Sequence, residues 1–457
     1  MTGTELLARL NSAEADITFE ALYGRDAIER ERRRYSMLAQ GISAEAQFPA
    51  ETFPEAGNWR VFSAPGRTEL GGNHTDHNCG RVLAASIQMD AVAVVVPRSD
   101  RKVFFRSTGF PDVLVNLDGT DGKPEFFSKT EEMGTTEALV RGIAAGFAKR
   151  GVQVGGFSAN ASSTVLHGSG LSSSAAVEVL IAKIFDSLYG GEQCSALELA
   201  QISRKAENDF FGKPCGLMDQ AASASGGAVA IDFADPSAPL VKNIEFDPMI
   251  AGYALCVVNT RGSHSDLTPD YAAIPREMNE VAGYFGKTFL REVDFDRVIS
   301  AIPEIRNSAN DRALLRALHF FNENDRVDRM ASLLEALSAS AEQTQKMELM
   351  KQFLDLVNES GDSSWELLQN IYSPRSPAVQ EMSVALAVSR EFFRAHEMKA
   401  ACRVHGGGFA GTIQAYVPVE GLDAFRSQMD AIFGAGALTT LRIRRAGAVE
   451  LWKSKNK

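Results

Sequence analysis

Apolar and polar positions divide this chain into strand-like and helix-like stretches. Between Trp59 and Val96 the text is strand-like. Trp59-Arg60-Val61-Phe62 precedes a glycine-rich stretch, and the unbroken apolar run Ala91-Val92-Ala93-Val94-Val95-Val96 follows it. Residues 102–106 predict another strand, 135–150 a helix and 157–161 a strand. Residues 25–40 are densely charged and predict a surface helix, 49–57 a loop and 118–124 a turn-rich connection. A second half opens near Ile250 with the buried-strand run Ala254-Leu255-Cys256-Val257-Val258-Asn259. Helical text then dominates residues 312–357, with turns expected around Asn322-Glu323-Asn324. Residues 377–396 predict a further helix, with Ser376 placed to cap it and Pro377 suited to its first turn. Residues 400–404 and 412–417 read as two strands flanking a glycine turn. The sequence holds no internal repeat, low-complexity tract or flexible linker. The expectation is an α+β protein of two intimately packed domains, residues 1–245 and 246–457.

Composition narrows the class. The 457 residues are 45% apolar and 23% charged, the balance of a soluble globular protein with room for two or three cores. A formal net charge of −11 argues against a nucleic-acid partner, which calls for a basic face. A small anionic ligand stays compatible with it, because local dipoles and a bound cation override the global sign. The N-terminus lacks a basic start and a long apolar core, so no signal peptide is expected, and no apolar run reaches the length of a membrane span. Five scattered cysteines (Cys79, Cys194, Cys215, Cys256 and Cys402) contain no CxxC pair and read as free thiols of a reducing compartment, hence a cytoplasmic protein.

Candidate chemistry lies in four segments. Thr164-Val165-Leu166-His167-Gly168-Ser169-Gly170-Leu171-Ser172-Ser173-Ser174-Ala175-Ala176 is a loop of small residues running into a helical pattern. Unpaired backbone N–H groups and the positive end of a helix dipole suit phosphate. The P-loop lysine is missing, so this is a phosphate turn of another kind or a small-residue packing turn. Between two predicted strands, Arg67, Glu69, His74, Asp76 and His77 crowd into eleven residues with glycines, which reads as a substrate loop or a solvated turn. Asp219 is a lone acid among apolar and small neighbours. It is either a helix-start carboxylate or a buried acid needing a partner, for which Arg67 is the natural cation. His405-Gly406-Gly407-Gly408-Phe409-Ala410-Gly411 formally matches GxGxxG, but a strand follows it where a dinucleotide site requires a helix. It reads instead as a turn that lets backbone approach a ligand or another loop closely.

In this order the four segments resemble those of the GHMP small-molecule kinases and, within them, the galactokinases. The segment Pro65-Gly66-Arg67-Thr68-Glu69-Leu70-Gly71-Gly72-Asn73-His74-Thr75-Asp76-His77-Asn78 is similar to the galactokinase signature. Gly170-Leu171-Ser172-Ser173-Ser174-Ala175-Ala176 matches the family's serine loop, and Cys215-Gly216-Leu217-Met218-Asp219-Gln220 is close to its Cys-Gly-Ile-Met-Asp-Gln. The similarity runs in weaker form over residues 59–418. It implies a two-domain GHMP kinase fold of mixed and antiparallel sheets with helices, and an active site in the cleft between domains.

It further implies ATP-dependent phosphorylation of a sugar at its anomeric hydroxyl, with Mg2+. By resemblance, Asp219 orients or deprotonates that hydroxyl, and Arg67 keeps Asp219 ionised and stabilises charge on the transferring phosphoryl. Gly168, Ser169, Gly170, Leu171, Ser172, Ser173 and Ser174 would wrap the ATP phosphates. Ser174 and Glu207 would hold the metal, with Ser173 the neighbouring alternative. Asn73, His74, Asp76 and Tyr271 would face the sugar. The implied partners are a small-molecule sugar and ATP, with no nucleic acid or membrane, in a monomer or weak homo-oligomer.

Three departures concern the sugar. Asn73 stands where galactokinases carry the glutamate that contacts the C6 hydroxyl, Glu69 replaces an asparagine, and His77 replaces a tyrosine. Galactose is the expected substrate, with a C6-altered sugar such as galacturonate the alternative. A non-catalytic sugar and ATP sensor is disfavoured by the intact serine loop and acid.

Overall fold

A strand that is apolar on both faces must be covered on both faces, and this requirement organises the larger sheet. The computed structural model describes residues 1–44, 58–118, 126–166, 170–262 and 267–453. The chain passes through β1 (Arg60–Gly71), β2 (Arg81–Pro97), β3 (Lys102–Ser107), β4 (Val113–Asn116), β5 (Phe157–Ser163), β6 (Ala228–Asp232) and β7 (Leu240–Ile244). A second group follows, β8 (Tyr253–Asn259), β9 (Ala401–Val404), β10 (Thr412–Pro418) and β11 (Leu438–Leu441), before β12 (Val449–Leu451). The larger sheet has the order β12-β1-β2-β5-β3-β4, with β6 and β7 branching from the first half of β2. Only its β3–β5 pair is parallel. The smaller sheet, β11-β8-β10-β9, is antiparallel throughout. Because β12 pairs with β1, the end of the chain returns to the sheet that its first strand opens.

The run 91–96 shows why the sheet reads as continuous apolar text. Ala91, Ala93 and Val95 join a core with α4 (Thr136–Lys149) and α5 (Ser173–Leu188). Val92, Val94 and Val96 point the other way, into a core with Leu6, Phe19, Tyr35 and Trp452. The second layer comes from α1 (Gly3–Leu10), α2 (Ala13–Tyr23) and α3 (Ile28–Ala44). Burying one valine side chain is worth up to about 1.5–3 kcal/mol, so the N-terminal layer is a substantial part of the fold.

That layer corrects one expectation. The charged text of residues 25–40 does not form a surface helix, because Glu31, Arg34 and Tyr35 of α3 are buried. Arg34 reaches Asp90 on β2, Nη1 to Oδ1 at 2.7 Å. The Asp90 carboxylate also accepts from the Tyr23 hydroxyl at 2.6 Å, from Arg444 Nη1 at 2.9 Å and from the Ser63 hydroxyl. Burial alone would raise its pKa, but Arg34 and Arg444 more than offset this and hold it below the ordinary aspartate value. One carboxylate therefore joins α2, α3, β1, β2 and the segment leading to β12.

Helix text also misled around residue 323. No turn breaks the helix Asp311–Ala339 at Asn322-Glu323-Asn324. Polar side chains that signal a turn in isolation are here satisfied by tertiary partners. Glu323 Oε1 accepts from the Gly72 N–H at 2.9 Å and the Ser360 hydroxyl at 2.7 Å, and Oε2 pairs with Arg326. Asn324 Oδ1 accepts the Arg81 N–H at 2.7 Å. The expected helix at 377–396 begins only at Glu381 and runs to Ala395. Ser376 lies in a turn closed by Ser376 N–H to Ser373 O and Val379 N–H to Ser376 O, so it caps nothing. The strands β6 and β7 had no expectation attached to them. The expected loop at 49–57 and most of the turn-rich 118–124 lie outside the described residues.

Two outcomes follow from these buried carboxylates. Asp90→Asn removes the charge facing two buried guanidinium groups and is expected to cost about 3–5 kcal/mol in urea unfolding. A loss under about 1 kcal/mol would show that the network is not needed. Glu323 has its pKa pushed down to about 2: burial raises it, and Arg326, His319, Arg403 and the Ser360 hydroxyl outweigh that. Its folded pKa lies below its ordinary value, so its contribution is present above about pH 4.5 and fades as the pH falls toward 2. Unfolding at about pH 7 and about pH 3 should show wild type losing roughly 2 kcal/mol more than Glu323→Gln. An equal loss in both would remove Glu323 as a source of acid sensitivity.

Candidate active site

Three glycine-bearing segments meet because their backbones can touch. β1 breaks register against β2 between Pro65 and Arg67. At Gly66 an added Cβ would lie 2.8 Å from the Leu171 carbonyl oxygen, so only glycine permits this approach. The Arg67 N–H then donates to Leu171 O at 3.0 Å, fastening the strand to the serine loop. Gly170, at φ +68°, faces the ring of His405, which bridges Thr68 and Thr412 at 3.0 and 3.1 Å.

This junction aims Arg67 at Asp219. Arg67 Nε donates to Asp219 Oδ1 at 2.7 Å, and Nη1 donates to Gly170 O. Asp219 is the second residue of α7 (Met218–Ser225), and its other oxygen accepts the Ser172 hydroxyl at 2.5 Å. Ser172 stands at the N-cap position of α5 in left-handed backbone, φ +59°, yet makes no side-chain cap bond there. Its hydroxyl serves Asp219 instead of the helix. Burial pushes the Asp219 carboxyl up, but Arg67, the Ser172 hydroxyl and Lys213 pull it further down, so it stays ionised below the ordinary aspartate range. Arg67 is 7% exposed at its side chain and Asp219 31%, so the carboxylate faces open space with the guanidinium behind it.

The loop after β1 lies against the 405–411 turn. Asn73 Nδ2 donates to Glu69 at 3.0 Å and to Gly406 O at 2.7 Å, while Oδ1 accepts from Asn370 Nδ2 at 2.7 Å. The Asn73 amide is thus fully engaged and 1% exposed. Glu69 also pairs with the buried Arg403. Its carboxyl is raised by burial, against the pull of Arg403 and Arg67. His74 Nε2–H donates to Gly407 O at 2.9 Å and the Tyr271 hydroxyl to Gly408 O at 3.0 Å. Burial, then the neighbouring His77, lowers the His74 pKa to about 3, so the ring is a neutral hydrogen-bonding group. The His74 and His77 rings stack at 5.8 Å, and Asp76 Oδ1 lies 3.9 Å from His77 Nε2. Asp76 also crowds Gly216, where any Cβ would overlap Oδ2. Arg67, Asn73, His74, Asp76, Asp219 and Tyr271 thereby sit on segments joined by hydrogen bonds and close contacts.

Glu207 is tied to α7 through Gln220, the neighbour of Asp219. Gln220 Nε2 donates to Glu207 Oε2 at 2.9 Å and to Glu178 Oε2 at 3.0 Å. Glu178 Oε1 is buried without a hydrogen-bond partner. Burial and the adjacent Glu207 push the Glu178 carboxyl up to about 8. Ser173 and Ser174 occupy the first turn of α5, and Leu171 is core. Gly168 and Ser169 lie outside the described residues. Four residues here had no assigned role from the sequence: Glu178, Arg403, Asn370 and Lys213. Lone charges in apolar text, as at Glu178 in α5 and Arg403 in β9, were the available signal. Asn370 offered none.

The model of the GHMP kinases N terminal domain matches residues 138–227, and the galactokinase galactose-binding signature matches residues 48–97. The chain is 30% identical over 389 residues to the galactokinase of Streptomyces coelicolor, covering 84% of this chain and 92% of the relative. It is 29% identical over 378 residues to the galactokinase of Clostridium tetani, covering 82% and 88%. The fold is similar to Lactococcus lactis galactokinase complexed with galactose, TM-score 0.70 at 23% identity over 88% of this chain and 97% of that one. Methanococcus jannaschii mevalonate kinase is a more distant neighbour, TM-score 0.55 at 13% identity over 85% and 99%. The α+β architecture and the resemblance drawn from the serine loop both hold. The chain belongs to the galactokinase family of the GHMP kinases.

Proposed function

We infer that the protein transfers the γ-phosphoryl group of ATP to the anomeric hydroxyl of galactose, giving galactose 1-phosphate and ADP. One observation carries this reading. Asp219 is held ionised by Arg67 and Ser172 at the point where the serine loop, the 67–78 loop and the 405–411 turn converge. In the reaction the bond from the sugar oxygen to the γ-phosphorus forms as the bond from that phosphorus to the β–γ bridging oxygen breaks, ADP leaves with that electron pair, and the hydroxyl proton is released to water. A carboxylate with a lowered pKa is a weak base, so Asp219 chiefly orients the hydroxyl by accepting its hydrogen bond. A loose phosphoryl-transfer transition state asks for little more. Arg67, anchored from behind, places positive charge beside the transferring group.

Residues 170–174 and the start of α5 would form the described part of the cradle for the ATP phosphates. Glu207, close to the Glu178 Oε1 that has no hydrogen-bond partner among the described residues, and the Ser174 hydroxyl would hold Mg2+. When bound, the ion neutralises charge on the β- and γ-phosphates. Residues 1–245 are read as carrying both loops and 246–457 as closing the cleft through the 405–411 turn. No described helix is long and apolar enough to cross a membrane.

Galactose is favoured over galacturonate by charge. The only cation within residues 67–78, counting lysine and arginine, is Arg67, and it is committed to Asp219. The Glu69 carboxylate is matched by Arg403, leaving no spare arginine in the loop for a sugar carboxylate. Asn73 then shapes the pocket wall through Gly406 and Asn370, with His74, Asp76 and Tyr271 around it.

Sugar-dependent ADP release, measured across galactose, galacturonate, arabinose and N-acetylgalactosamine, should be highest with galactose, with phosphate found on C1. No release with any of them would defeat the enzyme reading, and galacturonate far ahead would replace galactose. Asp219→Asn should lower kcat by about 10²–10⁴-fold while leaving ATP affinity nearly unchanged. Near-normal turnover in that variant would show that Asp219 is not the sugar-facing acid.

A further inference from the structure

Residues Glu207–Phe211 form one π-helical turn, which Gly212 ends at φ +84°. The Lys213 N–H then returns to the Glu207 carbonyl at 3.1 Å. This backbone closure fixes where the Lys213 side chain starts, and its ammonium lands on the Glu207 carboxylate, Nζ to Oε1 at 2.9 Å. The two partners are unequal, the Glu207 side chain being 4% exposed and that of Lys213 59%. A buried carboxylate does not stay ionised alone. Arg67 is spent on Asp219, and Gln220, which serves the other Glu207 oxygen, is neutral. Among the described residues, Lys213 is therefore the cation paired with Glu207.

We propose that Lys213 is a resident counter-ion that a divalent cation must displace from Glu207, so that it sets how much free metal is needed to load nucleotide. The inference rests on reading Glu207 as the metal-holding carboxylate. A lysine suits the task for physical reasons. Its single charge sits on a flexible, solvent-reaching stem, so the pair keeps Glu207 aimed yet opens readily. A divalent ion and an ammonium cannot both lie against the same carboxylate without repulsion. The released side chain has open solvent on its outer side, so its departure leaves no buried charge behind.

The test follows Mn2+ binding by electron paramagnetic resonance in the presence of a non-hydrolysable ATP analogue. Lys213→Met should tighten Mn2+ about two- to fivefold, the range for opening a partly exposed ion pair. Lys213→Arg should stay near wild type. Glu207→Gln should weaken Mn2+ about tenfold or more, and in that background Lys213→Met should have no further effect. Unchanged or weaker Mn2+ binding in Lys213→Met, with Glu207→Gln still impaired, would overturn the counter-ion role alone. Wild-type affinity in Glu207→Gln would instead overturn the reading of Glu207 on which the inference depends.

Discussion

A carboxylate removed from water needs a cation and hydrogen-bond donors, and this constraint recurs wherever elements of this fold converge. Asp90 meets Arg34 and Arg444 and ties the N-terminal helices and the last strand to β2. Glu69 meets Arg403 and joins β1 to β9. Glu323 meets Arg326 and takes the Gly72 N–H, holding the substrate loop against the helix Asp311–Ala339. Asp219 meets Arg67 at the cleft itself. The first three pairs are closed off from solvent, while Asp219 keeps an accessible face. The same device that fixes position in the core is left open on one side at Asp219.

The second constraint is backbone proximity. A cleft built from three loops requires them to approach more closely than side chains allow, and the glycines mark those contacts. Gly66 lies on Leu171 and Gly170 on His405. At Gly407 a Cβ would lie 2.6 Å from the Tyr271 ring. Carbonyls of the 405–411 turn then become acceptors for Asn73, His74 and Tyr271. Polar side chains that read as substrate ligands in the sequence are partly occupied in holding the loops together. This is clearest at Asn73, whose amide is fully engaged.

Charge in the cleft is balanced locally. Arg67 offsets Asp219 and Lys213 offsets Glu207, while Glu178, with a pKa near 8, is largely neutral at pH 7. His74 is neutral as well. The cluster of Arg67, Asp219, Glu207 and Lys213 therefore carries little net charge, although the chain as a whole carries −11. The global sign says little about the ligand because each buried charge here has its own partner.

Local chemistry made several features legible in the sequence alone. The serine loop before a helix and the buried-strand runs follow from residue type and spacing, because backbone preference acts over short range, and the need of Asp219 for a cation follows from its apolar neighbours. The failures share one cause. Asn322-Glu323-Asn324 reads as a turn but lies inside a helix, and α3 reads as exposed but buries Glu31 and Arg34. In each case a polar group finds a partner far away in sequence, 56 residues between Arg34 and Asp90 and 251 between Glu323 and Gly72. Type and spacing determined which groups needed partners. Only the tertiary structure decided which partner each one found, since that depends on where two sheets and their loops bring distant backbone together.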